Sequence, residues 1–287
     1  MRTATKLTAY GLAVAVVAAG AWAVGTAVGP VDGAAEAGHP MTEQAHGDPA
    51  PHAEEALPGL AVAAGGYRLE LGQDRVAVGE VLPLRYRILG PDGAPVTRFE
   101  VEQDKLMHLV TVRRDGSNYR HVHPELAPDG TWSIALNLPE PGSYRMFADF
   151  KPAGGADTTL GTDLHVTGEY LPRSFDSPQR TFTVAGYQVR LDGELVAGAE
   201  STVTATVTKD GQPVTDLQRY LGAYGHLVTL RAADLGYLHV HPLGGTPGGP
   251  DTRFAVEVPT PGRYRMFLDF QHRDTVHTAE FTVEARS

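Results

Sequence analysis

From about residue 65 onward the chain is a succession of short apolar runs in alternating pattern, cut by turn signals. In the last hundred residues such runs lie near Tyr187–Asp192, Thr202–Thr208, His226–Arg231, Tyr237–His241, Arg253–Val258, Tyr264–Phe270 and Thr278–Glu284. Lys209-Asp210-Gly211 and Pro259-Thr260-Pro261-Gly262 fall between them. A two-residue period gives a strand one buried and one exposed face. About seven short strands in roughly a hundred residues predict an immunoglobulin-like β-sandwich.

The pattern occurs twice. Asp92-Gly93-Ala94-Pro95-Val96-Thr97, His108-Leu109-Val110-Thr111 and Tyr119-Arg120-His121-Val122-His123-Pro124 are answered by Asp210-Gly211-Gln212-Pro213-Val214-Thr215, His226-Leu227-Val228-Thr229 and Tyr237-Leu238-His239-Val240-His241-Pro242. The offset is constant (210 − 92 = 226 − 108 = 242 − 124 = 118). After a two-residue insertion, Tyr144-Arg145-Met146-Phe147-Ala148-Asp149-Phe150 matches Tyr264-Arg265-Met266-Phe267-Leu268-Asp269-Phe270. The chain therefore reads as a tandem duplication, with repeats over 65–168 and 181–287 and a linker over 169–180. The expected fold class is all-β, two tandem sandwiches.

Two segments precede the repeats. Arg2 and Lys6 stand before an uncharged run, Leu7–Val28, whose 22 residues would rise about 33 Å as a helix, enough for a bilayer core of about 30 Å. Residues 1–29 are read as a transmembrane anchor or a cleaved signal, either of which exports the rest. Residues 30–64, rich in Ala, Gly, Pro and Glu, are expected to form a disordered stalk. It carries His39, Met41, His46 and His52, incidental polar residues or a loose metal-collecting tract.

Composition narrows the chemistry. A net charge of −10 argues against nucleic acid as a partner. The absence of cysteine excludes disulfides, thiolate metal sites and a Cys nucleophile. No nucleophile elbow or phosphate loop is present, so the chain is not expected to be an enzyme.

Six of the twelve histidines form matched triplets, His108, His121, His123 and His226, His239, His241. Residues i and i+2 of a strand share a face with Cα atoms about 6.7 Å apart, so two such imidazoles can converge on one metal ion. If His108 lies opposite His123 in a hairpin, His121 faces Val110 and all three histidines share a face; a one-residue slip separates them. The expected metal ligands are these six residues, one site per repeat. Neutral imidazoles suit copper(II) first and zinc second. Asp149 and Asp269 would ligate, orient a histidine, or pair with Arg145 and Arg265, and His272 and His277 would enlarge the second site. Met146 and Met266 are assigned to the core.

On the residues His-Leu-Val, His-Val-His-Pro and Tyr-Arg-Met-Phe-x-Asp-Phe, the chain resembles a group of actinobacterial exported proteins of unassigned function with an apolar N-terminus, a His-containing stalk and this β domain. The resemblance covers nearly the whole chain and implies copper handling. A shorter likeness, His121/His123 or His239/His241 alone, is to copper-zinc superoxide dismutases, whose disulfide and bridging histidine have no counterpart here. The leading expectation is a membrane-tethered metal binder for buffering or handling, with the metal ion and the membrane as partners. The alternative is an adhesion or scaffold module whose histidines are structural.

Overall fold

A computed structural model describes residues 57–287 apart from His239. The expectations for the anchor, for the stalk up to residue 56 and for His239 fall outside the described residues. Among those described, no helix is long and apolar enough to cross a membrane; strands account for the regular structure.

The first repeat contains β1 (Ala63–Ala64), β2 (Tyr67–Leu71), β3 (Arg75–Ala77), β4 (Val81–Leu89), β5 (Phe99–Glu100), β6 (His108–Arg113), β7 (Arg120–Val122), β8 (Glu125–Leu126), β9 (Thr131–Asn137), β10 (Gly142–Pro152) and β11 (Thr158–Thr167). The second contains β12 (Thr181–Val184), β13 (Tyr187–Asp192), β14 (Leu195–Val196), β15 (Glu200–Lys209), β16 (Gln212–Pro213), β17 (His226–Arg231), β18 (Tyr237–Leu238), β19 (Val240–Gly245), β20 (Asp251–Glu257), β21 (Gly262–His272) and β22 (Thr275–Arg286). Each repeat is a two-sheet sandwich. The sheet orders are β1-β2-β4-β9-β8 against β3-β11-β10-β6-β7, and β12-β13-β15-β20-β19 against β14-β22-β21-β17-β18.

Alternation builds the two cores. On β4 the alternate residues Leu82, Leu84, Tyr86 and Ile88 turn inward, against Tyr144, Met146 and Phe150 of the facing sheet. On β15 Val203, Ala205 and Val207 face Met266, Leu268 and Phe270. Both methionines are core residues, fully buried. Near the start of β10 and β21 a buried tyrosine hydroxyl donates back to a carbonyl four residues upstream, Tyr144 to Glu140 at 2.8 Å and Tyr264 to Thr260 at 2.7 Å. This is the tyrosine corner of Greek-key sandwiches. Tyr264→Phe is expected to cost about 1 kcal/mol in urea denaturation, and an unchanged midpoint would show that the bond contributes nothing.

A third apolar layer lies between the repeats. β6 is buried along its whole length, because its outward residues Val110 and Val112 meet Val228 and Leu230 of β17. Phe147 and Phe267 join them, with Tyr119 and Tyr237. Tyr119 stacks on Phe267 (centroids 4.1 Å apart, planes at 4°), and Phe147 lies 5.4 Å from Tyr237. Tyr237 is the equivalent of Tyr119 and Phe267 that of Phe147, so the contact is reciprocal, as in an approximate two-fold.

The end of the segment expected to be stalk is ordered, which corrects the boundary at residue 64. Pro58 O accepts from Tyr237 N at 3.0 Å, Gly59 N donates to Thr159 O at 3.0 Å, and Gly161 N donates to Ala61 O at 2.8 Å. Backbone hydrogen bonds to both repeats hold a stretch that has few large side chains to bury. Gly59 has φ +74°, and a Cβ there would lie 2.4 Å from the Phe147 ring, so the close approach requires glycine.

Candidate metal centre

His108 opens β6 on the outward face it shares with Val110 and Val112. β7 pairs with β6 so that Val110 opposes His121 and Thr111 opposes Arg120. This register turns His108, His121 and His123 to one side, and one nitrogen of each lies within 4.8 Å of the others. His108 Nδ1 is 3.0 Å from His121 Nε2.

In the second repeat the two described histidines of the triplet, His226 and His241, part company. β17 and β18 pair in the equivalent register, with Thr229 opposite Leu238, but the chain then changes sheet. Val240–Gly245 joins β20, placing His241 opposite Ala255, where it is exposed. His226 instead stands with the histidines of the first repeat. Its ring is parallel to that of His108 (5.6 Å, 4°) and 4.7 Å from that of His121. The structure thus gathers His108, His121, His123 and His226 at the rim of the layer between repeats. His241 lines a cleft of about 130 Å³ with His108, Asp149 and Glu102.

The two aspartates sit on the outward face of β10 and β21, directly opposite His108 and His226. Asp269 is 3 % exposed and accepts from His121 Nδ1 at 2.9 Å and from Thr278 Oγ1. Asp149 accepts from Thr159 Oγ1 at 2.8 Å. Asp269 therefore pairs with a histidine rather than with Arg265. The arginines are paired elsewhere, Arg145 with Asp163 and Arg265 with Glu280. His272 and His277 do not enlarge the cluster. His272 faces the opposite side of β21 from Asp269, bonded to Tyr187 Oη at 2.7 Å and Asp216 Oδ1 at 2.9 Å, and His277 packs on Tyr187 and Phe270.

Burial sets the protonation. It drives the imidazoles of His121 and His123 down to about 3, helped by neighbouring histidines, and pushes His226 well below its usual range. The same desolvation raises the Asp269 carboxyl to about 6. Burial and the nearby Asp269 lift the Tyr220 phenol, whose ring is 6.4 Å from that of His123, to about 12.

Hydrogen-bond partners fix the tautomers. His108 Nε2 lies 3.0 Å from Glu102 O, which only accepts, so Nε2 carries the hydrogen and Nδ1 is bare. With Asp269 ionised, His121 Nδ1 carries its hydrogen and Nε2 is bare. Two lone pairs then face each other across 3.0 Å. His123 Nε2 and His226 Nε2 are buried without a hydrogen-bond partner among the described residues. A metal ion between His108 Nδ1 and His121 Nε2 would be coordinated by both lone pairs, whereas in the neutral metal-free cluster they face each other unpaired. Nitrogens bound at 2.0–2.1 Å to a tetrahedral zinc stand about 3.3 Å apart; His108 Nδ1 and His121 Nε2 are 3.0 Å apart, and a nitrogen of His123 lies within 4.8 Å of both.

Sequence reasoning missed that His226 and Asp269 serve the first repeat's histidines. The signal was the apolar Val110, Val112 and Phe147 on the faces turned away from the sandwich core, a mark of strands covered on both sides.

No curated protein sequence matches the chain. Solved structures with partial similarity include an Escherichia coli adhesin (13% identity, TM-score 0.28, 79% of this chain and 66% of that one). Others are domains 4 and 5 of an S-layer protein (11%, 0.25, 77% and 98%) and a tandem pair of titin immunoglobulin domains (13%, 0.20, 76% and 96%). A family model described as a domain of unknown function, DUF8832, matches residues 61–168 and again 182–287. The chain belongs to the DUF8832 family, of which it carries two copies in tandem.

Proposed function

We propose that the protein binds a transition-metal ion, copper or zinc, at the histidine cluster between its repeats. It would act outside the cytoplasm, tethered through or exported by its N-terminal segment, and would buffer or pass on metal without catalysing a reaction. The observation that carries the reading is the pair of facing bare nitrogens, His108 Nδ1 and His121 Nε2, each fixed by the partner of its other nitrogen. A divalent ion would satisfy both, together with the orphaned Nε2 of His123. Asp269 behind His121 supplies the carboxylate–histidine–metal arrangement that orients a ligand and raises its basicity. Imidazoles without thiolates favour copper(II), then zinc, in affinity order.

Calorimetry on the full chain in detergent tests this. Stripped of metal, it is expected to take up copper(II) and zinc(II) with a saturable component at micromolar affinity or tighter. That component is expected to vanish in the His121→Ala/His123→Ala variant and to persist in His272→Ala. An identical isotherm in the double variant would overturn the assignment, and the adhesion or scaffold reading predicts that outcome.

A further inference from the structure

Three histidines of the cluster belong to one repeat, and a fourth imidazole comes from the other. His226 opens β17, an element that contributes nothing to the first sandwich, and reaches the cluster only because the two outward sheet faces are docked. Its ring is stacked parallel to that of His108 and lies against that of His121. Its Nε2 is buried and has no hydrogen-bond partner among the described residues, and leaving such a group unpaired is costly. Asp269, which holds His121, comes from the same repeat as His226.

Resting on the metal reading above, we infer that the ion is held jointly by both repeats, with His226 as its fourth ligand and Asp269 orienting His121, so that the bound metal staples the junction. Four nitrogen ligands close a tetrahedral site, the arrangement of sites that hold metal rather than activate water. A triad alone would leave a position open. The staple follows from linkage: an ion that contacts both repeats binds the docked arrangement better than a separated one, and so stabilises docking by the same free energy. The reciprocal aromatic layer and the ion then act on the same interface, one along its middle and the other at its rim.

Cobalt(II) is a suitable probe, because a four-coordinate tetrahedral site gives intense visible bands that weaken when water enters and coordination rises. The full chain is expected to develop these bands with one equivalent at the cluster. His226→Ala is expected to retain binding through the triad, with affinity about a hundredfold weaker or more and with the bands shifted and weakened. Zinc is expected to slow amide exchange in both β6 and β17 of the wild type, and to protect β6 alone in His226→Ala. His226→Ala that matches the wild type in affinity and spectrum would overturn the fourth ligand while leaving the triad standing. Bands absent from the wild type itself would overturn both readings.

Discussion

Phe267→Ala is expected to lose about 3–5 kcal/mol of stability and to turn one unfolding transition into two. Phe267 is fully buried, but not in a sandwich core. It stacks on Tyr119 of the other repeat and shares its layer with Val110, Val112, Val228 and Leu230. Removing a buried phenylalanine costs its transfer free energy plus that of the cavity left behind. Because each repeat keeps its own core, Leu82 to Phe150 in one and Val203 to Phe281 in the other, losing the layer between them uncouples two units that could each remain folded. Arg265, buried across the same junction and donating to Gly116 O at 3.0 Å, would persist as a weaker tie. Calorimetric and circular-dichroism melts check the point. A single transition of unchanged midpoint would show that the layer does not couple the repeats.

Metal and acid are expected to move the wild type in opposite directions. At a thousandfold excess over Kd, zinc or copper bound only by the folded state adds about 4 kcal/mol. In a domain pair of this size that raises the melting midpoint by roughly 8–16 °C. Without metal, stability is expected to fall between pH 8 and pH 5. His121 titrates near 3 when folded and near 6.5 when unfolded. The unfolded chain therefore takes up a proton the folded one refuses, and stability is lost as pH falls from 6.5 toward 3, about 2 kcal/mol by pH 5. His123 and His226 act in the same sense. Asp269 opposes them: burial raises its folded carboxyl to about 6, so it regains about 1 kcal/mol over the same interval. The sum is a net loss of at least about 2 kcal/mol. Urea midpoints of the metal-free protein at pH 8 and pH 5 measure it, and an equal or higher value at pH 5 would refute the neutral buried cluster.

Much of the fold was legible in order and period. The constant offset of 118 residues gave the duplication, and strand alternation gave the sheets, because side chains on a strand have only two faces to choose between. The pairing of Val110 with His121 is the register under which the first triplet converges; spacing alone left that register open against a one-residue slip. The symmetry of the two triplets was misleading. Their sequences match, yet the second repeat leaves that sheet after Leu238 and carries His241 to β20.

The sequence by itself determined the repeats, the all-β class, the inward sets such as Leu82, Leu84 and Tyr86, and which imidazoles were available. Tertiary structure alone decided that Leu57–Ala64 is a tie between repeats and that His226 and Asp269 complete the other repeat's cluster. It also placed His272 and His277 on the opposite side of their sheet. The physical reason is range. Period and spacing act within a strand or hairpin, whereas the docking of two sheet faces depends on side chains more than a hundred residues apart meeting across a surface that neither repeat contains alone.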